Sequence, residues 1–419
     1  MATVGKGPGR AHPPSGEVAG GTGPVPAGYI RGMSPWLRRV AWVCSSVLAA
    51  AGMVAAPAQA GTSPAAPACG AGRLVSSPSP ATFDSLYGIA AVSPQDVWAV
   101  GRYIENNSGN VSRALVEHWA GRRWHAVRVP QPSAHNAYLF AVAAVSASDI
   151  WAVGYADNAR YSGERTLTEH WNGSAWRIVP SPSGGVLDAV TASAAGGVWA
   201  AGTSAQGHSL AERWTGTRWS VATTPSPGRF GDDLAGVTAA GPDDVWAAGT
   251  TGTSKFGATA VLTEHWDGTR WAVVTAPRLG IGSEFRAVAS AGGSDVWAVG
   301  DYQVQTPTGT AYLTLTEHWD GARWTIVSSP SPTGDDDFGG VAAVSASDIW
   351  AAGSAASDNL VAHWNGHAWS LVASPHRSHT LDLLAAVSAS DATNVWAAGG
   401  DIDLHGYSYH TLVENVCPR

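Results

Sequence analysis

One recurring pentapeptide constrains this chain more than any other feature: Val or Ile, then Trp-Ala, then Val or Ala, then Gly. It occurs at Trp98, Trp151, Trp199, Trp246, Trp297, Trp350 and Trp396, at intervals of 53, 48, 47, 51, 53 and 46 residues. A period of this size marks a chain that repeats one supersecondary unit, and such units share a single assembly because none can bury its apolar face alone. The 419-residue length is therefore no argument for two or three independent domains.

Residues 139–183 show one unit whole. Residues 139–145 alternate apolar side chains with Ala, Ser146-Ala147-Ser148-Asp149 form a turn, and 150–154 are a short apolar run. Two further β-prone runs, 166–171 and 176–179, flank Asn172-Gly173, a strong hairpin signal. Each repeat reads as a four-stranded antiparallel meander, here called strands A to D. No sustained 3.6-residue apolar pattern occurs outside the N-terminal region, so the fold is all-β. Seven such sheets predict a seven-bladed β-propeller. Each of the first six repeats carries three tryptophans, on B, at the end of C and at the start of D. Their recurrence in every blade assigns them to packing between blades, ~150–250 Å² each.

The seventh repeat ends after a C strand, 411–416, followed by Cys417-Pro418-Arg419, with no D strand. The missing strand is at the other end of the chain, where 73–80 matches the fifth repeat's D strand, 325–332. The N-terminal strand is thus expected to complete the last blade. Aligned on the fifth repeat, Cys417 falls on Asp320 and Cys69 on Gly321, adjacent turn positions, so a Cys69–Cys417 disulfide is expected to replace the absent covalent turn.

Before the repeats, residues 1–32 are Gly- and Pro-rich without apolar periodicity. Arg38-Arg39, the apolar run 40–56 and Ala58-Gln59-Ala60 read as a secretory signal over 33–60, cleaved after Ala60. Residues 1–32 then either extend the signal or precede a true start at Met33. A linker at 61–68 leads to the propeller, 69–419, and the mature chain is expected to be extracellular without a membrane span. It keeps 19 basic and 31 acidic residues, net −12, which disfavours nucleic acid and anionic membranes as partners.

The S-x-S-D-[VI]-W-A-[VA]-G strand, followed by L-x-E-H-W-[DN]-G-x-x-W and S-P-S-P, resembles the Trp-rich repeats of exported bacterial β-propeller proteins. It is more distantly similar to kelch, galactose-oxidase-like and sialidase-type propellers. It departs from kelch in lacking a regular Gly-Gly doublet, and from the sialidase Asp box in lacking the upstream Ser. The resemblance implies the fold and carries over no catalytic set.

Repeated Glu-His pairs, such as Glu117-His118, Glu169-His170, Glu264-His265 and Glu317-His318, have the chemistry of metal ligands and acid/base groups. Their recurrence at one strand position in separate blades, and the recurring turn Asp (Asp96, Asp149, Asp244, Asp295, Asp348), favour a structural network. Asp335-Asp336-Asp337 has no calcium-ligand spacing and reads as a solvated acidic loop. Variation is confined to the B–C and D–A connections, which share one face of a propeller, and scaffolds carry function on their variable loops. Aromatic residues cluster there: Tyr103, Tyr138, Tyr155, Tyr161, Phe230, Tyr302, Tyr312, Phe338, Tyr407 and Tyr409 are the candidate ligand-binding residues. Exposed rings with polar neighbours suit sugars or extended peptides. The reading favoured is an exported, non-enzymatic binding module for a carbohydrate or cell-envelope polymer, or for a protein partner, without cofactor or metal. An extracellular polysaccharide hydrolase or lyase using the same funnel is the alternative.

Overall fold

The structure, a computed structural model, describes residues 71–105, 111–132, 136–157, 163–182, 184–192, 197–255, 257–377, 380–403 and 408–417. The expected extension, signal and linker, and Cys69, lie outside these residues.

The described residues form seven antiparallel sheets of four strands, each in the spatial order A-B-C-D, and no helix. The first blade is typical: Asp84–Ser93, Asp96–Glu105, Val111–Trp119 and Trp124–Ala126. The A strands of successive blades pack on one another in a closed ring, so A is innermost and the two- to four-residue D strands lie outside. The A–B turn of a blade touches its C–D turn, as where Gly173 meets Ser148. On the opposite face the B–C connection of one blade bonds to the entry of the next: Tyr312 N donates to Gly334 O, and Asp382 N to Ser357 O.

The closing glycine of the pentapeptide has a physical cause. In every blade the A–B register shifts near the start of strand A, as between Leu86 and Gly88 or Phe285 and Ala287. This bulge pushes an A-strand carbonyl against the glycine of strand B. A Cβ at Gly101 would lie 1.9 Å from Ser85 O, and one at Gly399 1.8 Å from Leu383 O. Any side chain there would part the ladder.

Indole packing joins the blades. Trp98 of the first blade meets Trp171 and Trp176 of the second at 5.2 and 5.5 Å, and Trp396 of the seventh meets Trp119 and Trp124 of the first at 5.1 and 5.7 Å. Six of the seven junctions repeat this triad. At the remaining one Trp350 packs among Val416, Cys417 and Leu74 instead. That is the closure: Arg73–Leu74 pairs antiparallel with Ser408–Cys417, Arg73 opposite Asn415 and Leu74 opposite Glu414. Beyond it, the hydroxyls of Ser77 and Ser79 lie 2.7 and 3.2 Å from that of Thr411. The N-terminal strand completes the last blade.

Candidate functional site

The Glu-His pairs separate onto the two faces of their strand, and the His side is structural. Nε2 of His118 lies 2.7 Å from Oδ1 of Asp96, which also accepts from Trp98 Nε1 at 2.8 Å, and the His118 ring stacks on Trp98 at 4.0 Å. His170, His265, His318 and His363 make the same contact to Asp149, Asp244, Asp295 and Asp348. Burial holds the His118 imidazole below its ordinary value, with the Asp96 contact opposing. In the third blade Arg213 replaces His and sits over the Trp199 ring.

The Glu side faces the preceding blade. Ser181 Oγ, in the D–A connection of the second blade, donates to Glu212 Oε2 of the third at 2.6 Å. Ser374 does the same for Glu414 at 2.6 Å. Each Ser stands five residues after its blade's D-strand Trp. At that position the first blade has Val129 and the fourth has Ala276. The Glu residues that follow them, Glu169 and Glu317, have no hydrogen-bond partner among the described residues, and neither has Glu117. Burial pushes these three carboxyls up to about 8, 8 and 9, against about 7 for Glu414, where Ser374 opposes it. The unpartnered acids are thus neutral near pH 7.

At the variable face, the ten aromatic candidates divide. Tyr161 and Tyr407 lie outside the described residues. Phe230 is exposed, with Arg229 over its ring. Tyr103, Tyr302, Tyr312 and Tyr409 are half-buried, Tyr409 packing on Phe83 at 5.6 Å. Tyr138 and Tyr155 are buried and stack on each other at 4.7 Å with planes 5° apart. Phe338 is a core residue, 0% exposed, and not a ring at the funnel mouth. Its strand begins at Asp336, which puts it in register with Leu86, Leu139, Leu187, Leu234, Phe285 and Leu384. Much of the expected B–C loop is continued ladder: in the fifth blade Asp295–Thr306 and Gly309–Trp319 close on a tight turn.

The acidic run is also not a solvated loop beyond Asp335. Asp336 accepts from the Thr333 and Gly334 amides at 3.1 and 2.8 Å, fixing the entry to strand A. Asp84, Asp232 and Asp382 take the same place in their blades and accept from Ala81, Gly228 and Arg377 amides. The signal was present in the sequence as an Asp two residues before the A-strand Leu or Phe in four of the seven repeats.

Two positions around the bulge vary most: the bulged residue of strand A and the residue after the glycine of strand B. In the first blade they are Tyr87 and Arg102. Arg102 Nε donates to Tyr87 Oη at 2.9 Å and Nη1 to Ser112 Oγ at 3.1 Å, and its guanidinium lies 5.4 Å over the Tyr138 ring. Ser112 N donates to Asn136 Oδ1, and Asn136 Nδ2 to Asp157 Oδ1. In the second blade the pair is Phe140 and Tyr155, 5.6 Å apart, with Phe140 also 5.4 Å from Tyr87. In the fifth blade it is Arg286 and Asp301. Arg286 Nη2 and Nε reach Asp301 Oδ1 at 2.9 and 3.0 Å, Nε lies 3.5 Å from Asp337, and Nη2 lies 3.8 Å from Glu284. Among the described residues no three His, Cys, Asp or Glu side chains are grouped to hold a metal ion.

No protein-family model matches the chain, and no curated protein matches it. Solved structures share its fold. The structure titled YCF48 bound to D1 peptide is 14% identical with a TM-score of 0.52, covering 83% of this chain and 95% of that one. YCF48 from Cyanidioschyzon merolae is 12% identical at 0.50, covering 83% and 98%. The Aleuria aurantia lectin bound to Fucα1-6GlcNAc is 15% identical at 0.41, covering 70% and 97%.

Proposed function

We propose that this chain is an exported, non-enzymatic binding propeller of the Trp-rich bacterial repeat type, holding a carbohydrate or cell-envelope ligand on the face of its B–C and D–A connections. One contrast carries the reading. The opposite face repeats the Trp-Asp-His packing in five blades, whereas the bulge positions on this face change from Tyr87 and Arg102 to Phe140 and Tyr155 to Arg286 and Asp301. A scaffold held constant on one face and varied on the other serves recognition.

Two mouth carboxyls bear on the hydrolase alternative. Asp84 is pushed up to about 6 by burial, and Asp401 is raised for the same reason. Both are almost fully buried, and their hydrogen bonds go to the Ala81 amide and to Arg377. Carboxyls enclosed in this way, with one oxygen of each bonded within the fold and the other buried, are poorly placed to meet a glycosidic bond, which favours binding over hydrolysis.

In this reading the chain is secreted after cleavage following Ala60, and Cys69–Cys417 locks the closing blade. A glycan array probed with the folded, purified chain tests the ligand class: specific retention supports it, and a blank array overturns it. Thiol titration of the denatured secreted chain tests the lock, with none of its two cysteines reactive before reduction and both after.

A further inference from the structure

Resting on that reading, we infer that the mouth between the first two blades is a carboxylate subsite, where Arg102 holds the acid group of a uronate-type sugar.

Arg102 is the odd charge of this face. A guanidinium has five N–H donors, and Arg102 gives one to Tyr87 and one to Ser112. No carboxylate lies within 4.0 Å of it among the described residues, although Arg286 has three and Arg377 has Asp401 at 2.7 Å. Acidic residues are plentiful in this chain, yet the groups touching Arg102 are neutral hydroxyls and a tyrosine ring. Asp84 senses its charge from a distance, and its Oδ2 accepts from the Ala81 amide. Partial burial of a cation without a counter-ion is costly, and the Tyr138 ring returns only part of that cost. A ligand carboxylate would complete the pair with the remaining donors, in the fork geometry that guanidinium and carboxylate share.

The carbohydrate reading makes a sugar the bearer of that acid. Tyr138 and Tyr155 are spent on each other, so they form a low-dielectric wall and not a stacking platform. Behind that wall Ser112, Tyr138, Asn136 and Asp157 are buried and bonded to one another in a chain, which holds the ring and the guanidinium in place.

Calorimetry on the full folded chain with galacturonate, with galactose, and with a short neutral peptide bearing a free C-terminus tests the inference. Galacturonate is expected to bind about tenfold or more tighter than galactose, to weaken with added salt, and to lose that preference in Arg102→Gln, with Arg102→Lys restoring only part of it. Near-ultraviolet circular dichroism of the tryptophans reports whether each variant is folded. The galacturonate-to-galactose ratio and its salt dependence need no variant. Equal affinity for the two sugars overturns the subsite and leaves the carbohydrate reading standing. Binding of the peptide alone overturns the sugar assignment, and no binding by either sugar overturns both.

Discussion

Arg102 and Arg286 stand at the same mouth with opposite surroundings. Arg286 is enclosed by Asp301, Asp337 and Glu284, whereas Arg102 is enclosed by Tyr87, Ser112 and Tyr138. The two scaffold positions are nevertheless the same. The bulged residue of strand A is Tyr87 in one blade and Arg286 in the other, and the residue after the strand-B glycine is Arg102 in one and Asp301 in the other. The blade thus offers a fixed pair of positions whose chemistry is free to change. Where the pair is Arg and Asp it closes the fold, and where it is Tyr and Arg it leaves a charge to be answered. The Glu residues between blades divide in the same way, into those with a hydroxyl from the preceding blade and those without.

Five substitutions break or sharpen this contrast. Arg286→Met strands three carboxylates at a buried site and is expected to cost about 3–5 kcal/mol in urea unfolding, far more than Arg102→Met, which strands none. The next effect depends on pH. Glu317 titrates at about 8 when folded, against 4.5 without burial. Its contribution to stability is therefore fully present below pH 4.5 and is lost as pH rises toward 8. Wild-type stability is expected to fall between about pH 5 and about pH 9, and in Glu317→Gln that fall shrinks by up to ~5 kcal/mol, read from denaturation midpoints across the range. Ser374→Ala removes the hydroxyl from Glu414 and is expected to cost ~1 kcal/mol at neutral pH in a thermal melt, with the Glu414 carboxyl titrating higher. The smallest effect is the reverse change. Ala276→Ser places a hydroxyl at the corresponding position before Glu317 and is expected to move its titration down from about 8, toward the value of about 7 seen for Glu414. Carboxyl carbon NMR reads that shift, and an unmoved resonance would break the equivalence of the junctions.

Much of this architecture was legible in the chain. The Trp-Asp-His network could be anticipated because its members recur at the same strand positions in five of the seven repeats. Phe338 and Asp336 were misplaced because strand A starts earlier than the alternation of small and apolar residues implies. The preceding Asp and Leu or Phe belong to the strand but break its Ala-rich pattern. Tyr138 and Tyr155 looked like exposed rings because aromatic composition does not report whether one ring covers another.

From the sequence alone follow the number of repeats, the four-strand order and the closure by the N-terminal strand, because periodicity and strand alternation are local properties that each repeat states again. Only the tertiary structure decides which buried charges are answered. The Ser that serves Glu212 or Glu414 belongs to the preceding blade, and the carboxylates that neutralise Arg286 come from its own blade and the next one. Pairing of buried charge is set by distance and burial between neighbouring blades, so a missing partner, as at Arg102, Glu169 and Glu317, becomes visible only once the ring is closed.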